Sequence, residues 1–339
     1  MRVLLVKMSS LGDVVHALPA VSDAAAHGVR FDWVVEEAFA DVPALHPAVD
    51  RVLPIAWRRW RKNLRASWPE IRAFKDEMSS VPYDLVIDSQ GLIKSALVAM
   101  MSRAEKQGFS HTTAREPWAS FFYAKGHRVA RGQHAIDRQR QLFAAALGYQ
   151  FDPAQLAVIG DPLAQHQRTK QVYLLHGTTW QTKHWPEQMW QTLARLVSAA
   201  GFEPVVTWGD EGERKRAQNI ADLGGATVQA RTPLSALASQ LAHSAAVIGV
   251  DSGLAHLAAA LGTPTLGLYG PTDGVLTGCR GARARVLQSD FACAPCLNSD
   301  CRYRGEPQFW QDMLIEPACF AQHTPAAVWQ ATQSLMDVS

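Results

Sequence analysis

Asp251, Ser252 and Gly253 stand between an apolar run at 247–250 and a helix-period stretch that ends in Gly262. A strand that turns into a helix through such residues aims unpaired backbone N–H groups and the positive helix end at one point. That is a socket for an anion such as a phosphate, with His256 one helical turn further on. The same residues also fit an ordinary capped turn in which Asp251 or Ser252 only satisfies the helix start. A second loop, His176-Gly-Thr-Thr-Trp-Gln-Thr-Lys-His-Trp-Pro186, follows directly on the run 172–175. Thr178 and Thr179 supply hydroxyl donors and Lys183 a cation, a set that can hold a pyrophosphate without a metal and neutralise charge on a leaving group. Its alternative is a plain turn with a solvated lysine. Glu213, after Trp208-Gly209, can accept both hydroxyls of a ribose, or simply favour the first turn of a helix.

The amino-terminal half offers a different chemistry. Asp13 closes the loop Lys7-Met-Ser-Ser-Leu-Gly-Asp just before a helix pattern, where its carboxylate can act as a general base toward a sugar hydroxyl or cap the helix. Arg58, Arg59, Arg61, Lys62 and Arg65 are interleaved with Trp57, Trp60 and Trp68. Guanidinium groups suit carboxylates and phosphates, and tryptophans can rest on sugars or lipid headgroups. A solvated basic helix or a nucleic-acid patch would read the same way. Lys94, Arg115, His127 and Arg128 extend the cationic face. Cys293-Ala-Pro-Cys296, Cys301 and Cys319 have a spacing that can close a tetrahedral structural metal site, leaving no open position for chemistry. Scattered thiols are the alternative, and Cys279 lies outside the scheme as an inert residue.

These residues must be positioned by elements, and the pattern names them. The runs 3–6, 31–35, 52–55 and 84–88, then 172–175, 204–207, 227–229, 245–250 and 265–269, alternate with helix-period segments, four of them near 187–200, 211–223, 233–243 and 253–261. That alternation predicts parallel sheets with crossover helices, and functional groups at the carboxyl ends of strands. Pro19 should kink the first helix or delay its start. Periodicity fades at 154–170, an interdomain linker. The expected architecture is α/β: two doubly wound, Rossmann-like domains facing across a cleft, residues 1–160 and 168–322, with a final helix in 323–339 packing back on the first domain. A length of 339 residues with 47% hydrophobic and 19% charged residues suits two globular domains. The net charge of +2 gives no general pull toward nucleic acid. Lys7 interrupts the first apolar run, so the amino terminus reads as a strand rather than a signal peptide. No stretch of 18 apolar residues occurs, so the expected compartment is the cytoplasm, where cysteines stay reduced.

Taken together and in order, Lys7–Asp13, Arg58-Arg-Trp-Arg-Lys62, Asp88-Ser-Gln-Gly-Leu-Ile-Lys94, Thr113-Ala-Arg-Glu-Pro117, Lys183-His-Trp-Pro186 and Asp251-Ser-Gly-Leu-Ala-His256 resemble glycosyltransferase family 9, the ADP-heptose-dependent heptosyltransferases. The resemblance runs to about Thr272. It implies a GT-B fold and transfer of heptose from ADP-L-glycero-D-manno-heptose, with inversion, to the first Kdo of Kdo2-lipid A. It also implies no cofactor for catalysis, no nucleic-acid partner, and a peripheral position on the inner face of the inner membrane. Asp13 would be the base, with Lys183 at the leaving group. Thr178, Thr179, Lys183, Glu213, Thr232, Asp251, Ser252, Gly253 and His256 would bind the donor. Ser9, Ser10, Gly12, Arg58, Arg59, Arg61, Lys62, Gln90, Lys94 and Arg115 would meet the acceptor. The branch that adds the first heptose carries Thr at the position of Ser252 and lacks the cysteine cluster, which is similar to that of relatives adding the second heptose or modifying autotransporter proteins. A nucleic-acid-binding protein with a zinc knuckle is the non-enzymatic alternative.

Overall fold

The structure, a computed structural model, describes residues 1–154 and 168–337. The chain divides into two compact units, Met1–Gly160 and Asp161–Ser339. The linker expected at 154–170 lies largely outside the described residues.

In the first unit, runs of Val, Leu and Ile form β1 (Arg2–Val6), β2 (Arg30–Glu36) and β4 (Leu85–Asp88), buried on both faces, and the edge strand β3 (Val49–Ile55), in which only Leu53 and Ile55 are buried. β5 (Lys106–Phe109) and β6 (Lys125–His127) complete a parallel six-stranded sheet in the order β3-β2-β1-β4-β5-β6. Leu5 pairs with Trp33 on one side and Ile87 on the other. Pro19 has the second of its two expected effects: one helix runs Leu11–Val15, and a new one starts at Leu18 with the proline in its first turn. The core on one side of this sheet gathers Leu4, Val34, Leu53, Trp60, Phe74 and Met78.

The second unit repeats the plan with β7 (Gln171–Leu175), β8 (Glu203–Val206), β9 (Thr227–Val228), β10 (Ala246–Val250), β11 (Thr265–Tyr269) and β12 (Ala284–Gln288), ordered β12-β11-β10-β7-β8-β9. Trp185 and Trp190, edge to face at 4.8 Å, anchor its larger core. The terminal helix, Pro325–Met336, packs on the Glu187–Ala199 helix of the second unit, with Trp329 edge-on to Phe202. The buried face Val328, Trp329 and Thr332 is used up by that seat.

Both sheets reverse strand order once, between β1 and β4 in the first unit and between β7 and β10 in the second. At such a point the loops leaving two adjacent parallel strands diverge to opposite faces and leave a crevice at the carboxyl edge. The loops carrying Asp13 and Gln90 leave β1 and β4; those carrying Lys183 and Asp251 leave β7 and β10.

Candidate functional site

The first crevice is built on buried polar residues. Asp88, at the end of β4, accepts hydrogen bonds from the Tyr123 hydroxyl (2.7 Å), the Ser95 hydroxyl (2.8 Å) and the Gln90 and Gly91 N–H groups. Burial still pushes its carboxyl above the usual range, because the charged form has left water. The loop held this way turns the Gln90 side chain toward β1, where it accepts the Met8 N–H at 2.7 Å. That bond and the Lys7 ammonium, donating to the Ser89 carbonyl at 3.3 Å, tie the two loops together.

Asp13 sits at the third position of the Leu11–Val15 helix, not at its cap. Its carboxylate accepts the Ser10 N–H and the Ser10 hydroxyl, each at 3.0 Å, and faces the Lys7 ammonium at 3.7 Å. Burial raises its pKa, but Lys7 and the Ser10 donors outweigh that and hold it below the usual carboxylate range. Burial is also the main cause of the lowered Lys7 pKa, against the pull of Asp13 and Asp88. The Asp13 side chain remains 36% exposed, so an ionised oxygen stays within reach of an incoming group. Gly12, beside it, is half-buried.

The expected acceptor cations divide in two. Lys94 donates to the Ser9 hydroxyl at 3.4 Å, and its pKa is lowered by burial and then by the fields of Arg58, Arg61 and Arg115, partly offset by Glu36. Those four cations therefore share one locality with Ser9. Glu36 accepts the Arg58 N–H at 3.1 Å and so starts the short Trp57–Trp60 helix that presents Arg58. Arg59 departs from the expectation: it forms a two-armed pair with Glu70 (2.7 and 2.8 Å) and reaches Glu37 at 3.4 Å. Lys62 is exposed at the end of this segment. Of the tryptophans expected at the surface, Trp60 is buried against Phe74, and only Trp68 is largely exposed.

The second crevice is a chain of ionic contacts. The Asp251 carboxylate takes the Lys183 ammonium at 2.8 Å on one oxygen and the His256 Nε2 at 3.2 Å on the other. Burial opposes the charged Asp251, but His256 and Lys183 together hold it far below the usual carboxylate range. Burial equally opposes charge on His256, while Cys279 and Asp251 carry its pKa up to about 10. Cys279, set aside as inert from the sequence, lies behind this pair: its Sγ is 3.6 Å from His256 Nδ1 and 3.5 Å from the Tyr269 hydroxyl. His176 goes the other way, pushed down to about 4 mainly by burial, so Lys183 and His256 are the cations of this crevice rather than His176.

Thr178 donates to the Asp251 carbonyl at 3.2 Å, joining the two loops of the crevice, and Thr179 is exposed beside it. Lys183 lies over the Trp180 ring at 4.6 Å. Ser252 caps the Gly253–Ala260 helix, yet its hydroxyl is buried without a protein partner, as is that of Thr272 on the loop after β11. Buried hydroxyls without a protein partner are costly, and these two have hydrogen-bonding capacity to spare for a further group. Glu213 accepts the Gly209 N–H at 2.7 Å and lies so close to Gly177 that a Cβ there would stand 2.5 Å from its Oε1. Thr232 is half-buried in the loop after β9.

Cys293, Cys296, Cys301 and Cys319 line one cavity of about 280 Å³ together with Thr182 and Pro271. Thr182 donates to the Asn298 carbonyl at 2.7 Å, so the cysteine loop braces the Lys183 loop, a link invisible in the spacing. Among the described residues no group of three or more His, Cys, Asp or Glu side chains is placed to hold a metal ion. The metal site expected from the spacing is thus four thiols around one cavity, not a formed ligand set.

Two doubly wound units of identical strand order, each with its polar loops at the reversal, have the architecture of GT-B enzymes. Residues 71–306 match the model of glycosyltransferase family 9 (heptosyltransferase), and the chain belongs to that family. It is 48% identical to lipopolysaccharide heptosyltransferase 1 of Pseudomonas aeruginosa, over 98% of this chain and 97% of that protein. To the protein of the same name from Escherichia coli K12 it is 44% identical, over 88% and 97%. Among solved structures, E. coli heptosyltransferase WaaC with ADP superposes with a TM-score of 0.84 at 38% identity, covering 99% and 100% of the two chains. The same enzyme with ADP-2-deoxy-2-fluoro heptose gives 0.82 at 37% identity, over 98% and 99%. The enzyme is a heptosyltransferase, and the nucleic-acid-binding alternative gives way to that reading.

Proposed function

We propose that the protein transfers L-glycero-D-manno-heptose from ADP-heptose to the first Kdo of Kdo2-lipid A, with inversion at the anomeric carbon, the first unit taking the acceptor and the second the donor. One observation carries this reading: Asp13 is an ionised, partly exposed carboxylate on the loop whose Ser9 takes the Lys94 ammonium, and Lys94 lies in the field of Arg58, Arg61 and Arg115. The relatives' names and the ADP-heptose analogue bound to one of them support the choice of donor and pathway.

In the reaction, Asp13 takes the proton of the acceptor hydroxyl as its oxygen bonds to the anomeric carbon and the bond to ADP breaks. Ser9, Ser10, Gly12 and Gln90 shape the loop that positions this hydroxyl. Arg58, Arg61, Lys94 and Arg115 bind the carboxylates and phosphates of the acceptor, with Arg59 and Lys62 at the rim. On the donor side the diphosphate competes with Asp251 for Lys183, and the Ser252 hydroxyl and the Gly253 helix start stabilise charge on the leaving ADP. Thr178 and Thr179 hold the phosphates, Glu213 the ribose and Thr232 the region of the adenine, while His256 keeps Asp251 in place. No metal or organic cofactor takes part in the step. A zinc or iron ion held by the four thiols would be a staple that stiffens the loop bracing Thr182.

Purified enzyme given ADP-heptose and Kdo2-lipid A should yield an acceptor heavier by one heptose in the mass spectrum. An unchanged lipid, or heptose gained only by an autotransporter fragment supplied alongside, overturns the acceptor assignment. Elemental analysis of the same sample should find about one metal per chain; metal-free active enzyme rejects the staple.

A further inference from the structure

In the second unit, five side chains form one line that starts in the donor crevice and ends in the core behind it. Lys183 and His256 hold the two oxygens of Asp251. On the far side of the His256 ring, Cys279 Sγ lies 3.6 Å from Nδ1, and the Tyr269 hydroxyl lies 3.5 Å from that sulfur and 3.3 Å from the Thr277 carbonyl. Asp251, His256, Tyr269 and Cys279 are all buried, so none of them can turn to bulk water for a partner. Gly267 makes the room: a Cβ there would stand 2.7 Å from the Tyr269 ring and 3.3 Å from the Cys279 sulfur. Of the elements packed on the Gly253–Ala260 helix, β10 leads into Asp251, β11 ends in Tyr269, and the Leu234–His243 helix contributes the apolar Leu241.

We propose that Cys279 is a positioning residue of the donor site: its sulfur accepts the His256 Nδ1–H and so keeps the ring doubly protonated against Asp251 when the diphosphate draws Lys183 away. Because Nε2 faces a carboxylate oxygen, one proton stands on Nε2, and a charged ring carries a second on Nδ1 that needs an acceptor inside the protein. The sulfur supplies it. A thiol can accept from Nδ1 and donate onward to the Tyr269 hydroxyl, whose own proton reaches the Thr277 carbonyl, so each hydrogen in the line has a place. Without the sulfur, a charged ring would bury an unpaired N–H, and the neutral ring would be favoured. A neutral ring leaves Lys183 as the one cation on Asp251, and the carboxylate then competes harder with an incoming diphosphate for that ammonium. Cys279 thus acts on donor binding through two intervening side chains. The effect on the donor rests on the reading of Lys183 as a phosphate ligand; the bond to His256 does not.

Cys279→Ala and Cys279→Ser leave side chains of nearly the same volume, and only serine keeps an acceptor. ADP binding to the full-length enzyme is measured by calorimetry, and the His256 ring is followed by NMR of nitrogen-labelled histidine at about pH 8, where an ordinary histidine is neutral. The wild type should show both His256 nitrogens protonated, with and without ADP. Alanine should leave one nitrogen unprotonated and weaken ADP binding about tenfold, the worth of one charge-assisted hydrogen bond, with the acceptor KM in place. Serine should recover most of both losses. Equal losses in the two variants would mark Cys279 as packing alone and overturn the proposal, as would an alanine variant that matches the wild type in ring protonation and ADP affinity. A singly protonated ring in the wild type would overturn it without any variant. A wild type that fails to bind ADP, while its His256 ring is doubly protonated and that of the alanine variant is not, would remove the donor reading and uphold the bond to Cys279.

Discussion

The two loop crevices share a strand order and differ in how their charges are spent. In the second unit Asp251 is saturated by Lys183 and His256, and the crevice is a closed ionic network beside which the Ser252 and Thr272 hydroxyls are buried without a protein partner. In the first unit Asp13 meets one buried ammonium at 3.7 Å and leaves a third of its side chain open, while four cations gather nearby. A fold can therefore supply at one strand reversal a site that must trade partners to bind, and at the other a group already in its reactive charge state. The difference matches the tasks proposed for them: a leaving group needs stabilisation that strengthens as charge develops, and a nucleophile needs a base ready from the start.

Breaking the open side should cost most. Asp13→Asn keeps the shape and the Ser10 contacts but cannot take a proton, so kcat should fall about 10²- to 10⁴-fold with little change in ADP-heptose affinity. Steady-state kinetics with a donor-binding titration checks this, and near-normal turnover removes Asp13 from the mechanism. In the wild type the acid limb of kcat/KM set by Asp13 should lie below the ordinary aspartate range, and Lys7→Met should move it upward, because Lys7 is the main group lowering that pKa. Breaking the closed side comes next. Lys183→Met should lower kcat about 10²- to 10³-fold, the scale of a lost leaving-group contact, and weaken ADP binding measured by calorimetry.

The cation division sharpens the comparison further. Arg58→Ala and Arg61→Ala should each raise the acceptor KM about tenfold, the worth of one charge-assisted hydrogen bond, while Arg59→Ala should change it less because that guanidinium is committed to Glu70 and Glu37. Equal effects at all three positions would erase the distinction between them. The smallest expected change is in stability against pH. His256 is raised in the folded state, so its contribution is complete below its unfolded pKa near 6.5 and is lost as pH rises toward about 10. Denaturant unfolding of His256→Gln should be flatter than the wild type across that window and parallel to it below.

Much of this was legible in the residues. Strands written as Val, Leu and Ile runs were found within one to three residues at each end, as were the helices after β7 to β10, because those patterns need no tertiary information. β5, β6 and β12 were missed: Lys106-Gln-Gly-Phe, Lys125-Gly-His and Ala284-Arg-Val-Leu-Gln lie toward the sheet edges, where polar side chains are tolerated and the run disappears. The loops carrying Asp13, Lys183 and Asp251 were identified, but their partners were not. Nothing in the spacing places Cys279 behind His256, diverts Arg59 to Glu70, or joins Thr182 to the cysteine loop, since each contact closes across distant sequence. Tryptophan type likewise says little about burial: Trp60 went to the core while Trp118, not singled out, stands in solvent.

Gly177 has one further consequence. With no room for even a methyl group between residue 177 and the Glu213 carboxylate, the β7 loop and the helix Glu211–Gly224 are meshed like gear teeth through an absent side chain. Alanine at 177 would act as a wedge, prising the acid from the Gly209 N–H and shifting it off its mark. With Glu213 holding the ribose as proposed, an enzyme so altered should lose much of its preference for ADP over 2′-deoxy-ADP, and an unchanged preference would remove Glu213 from that role.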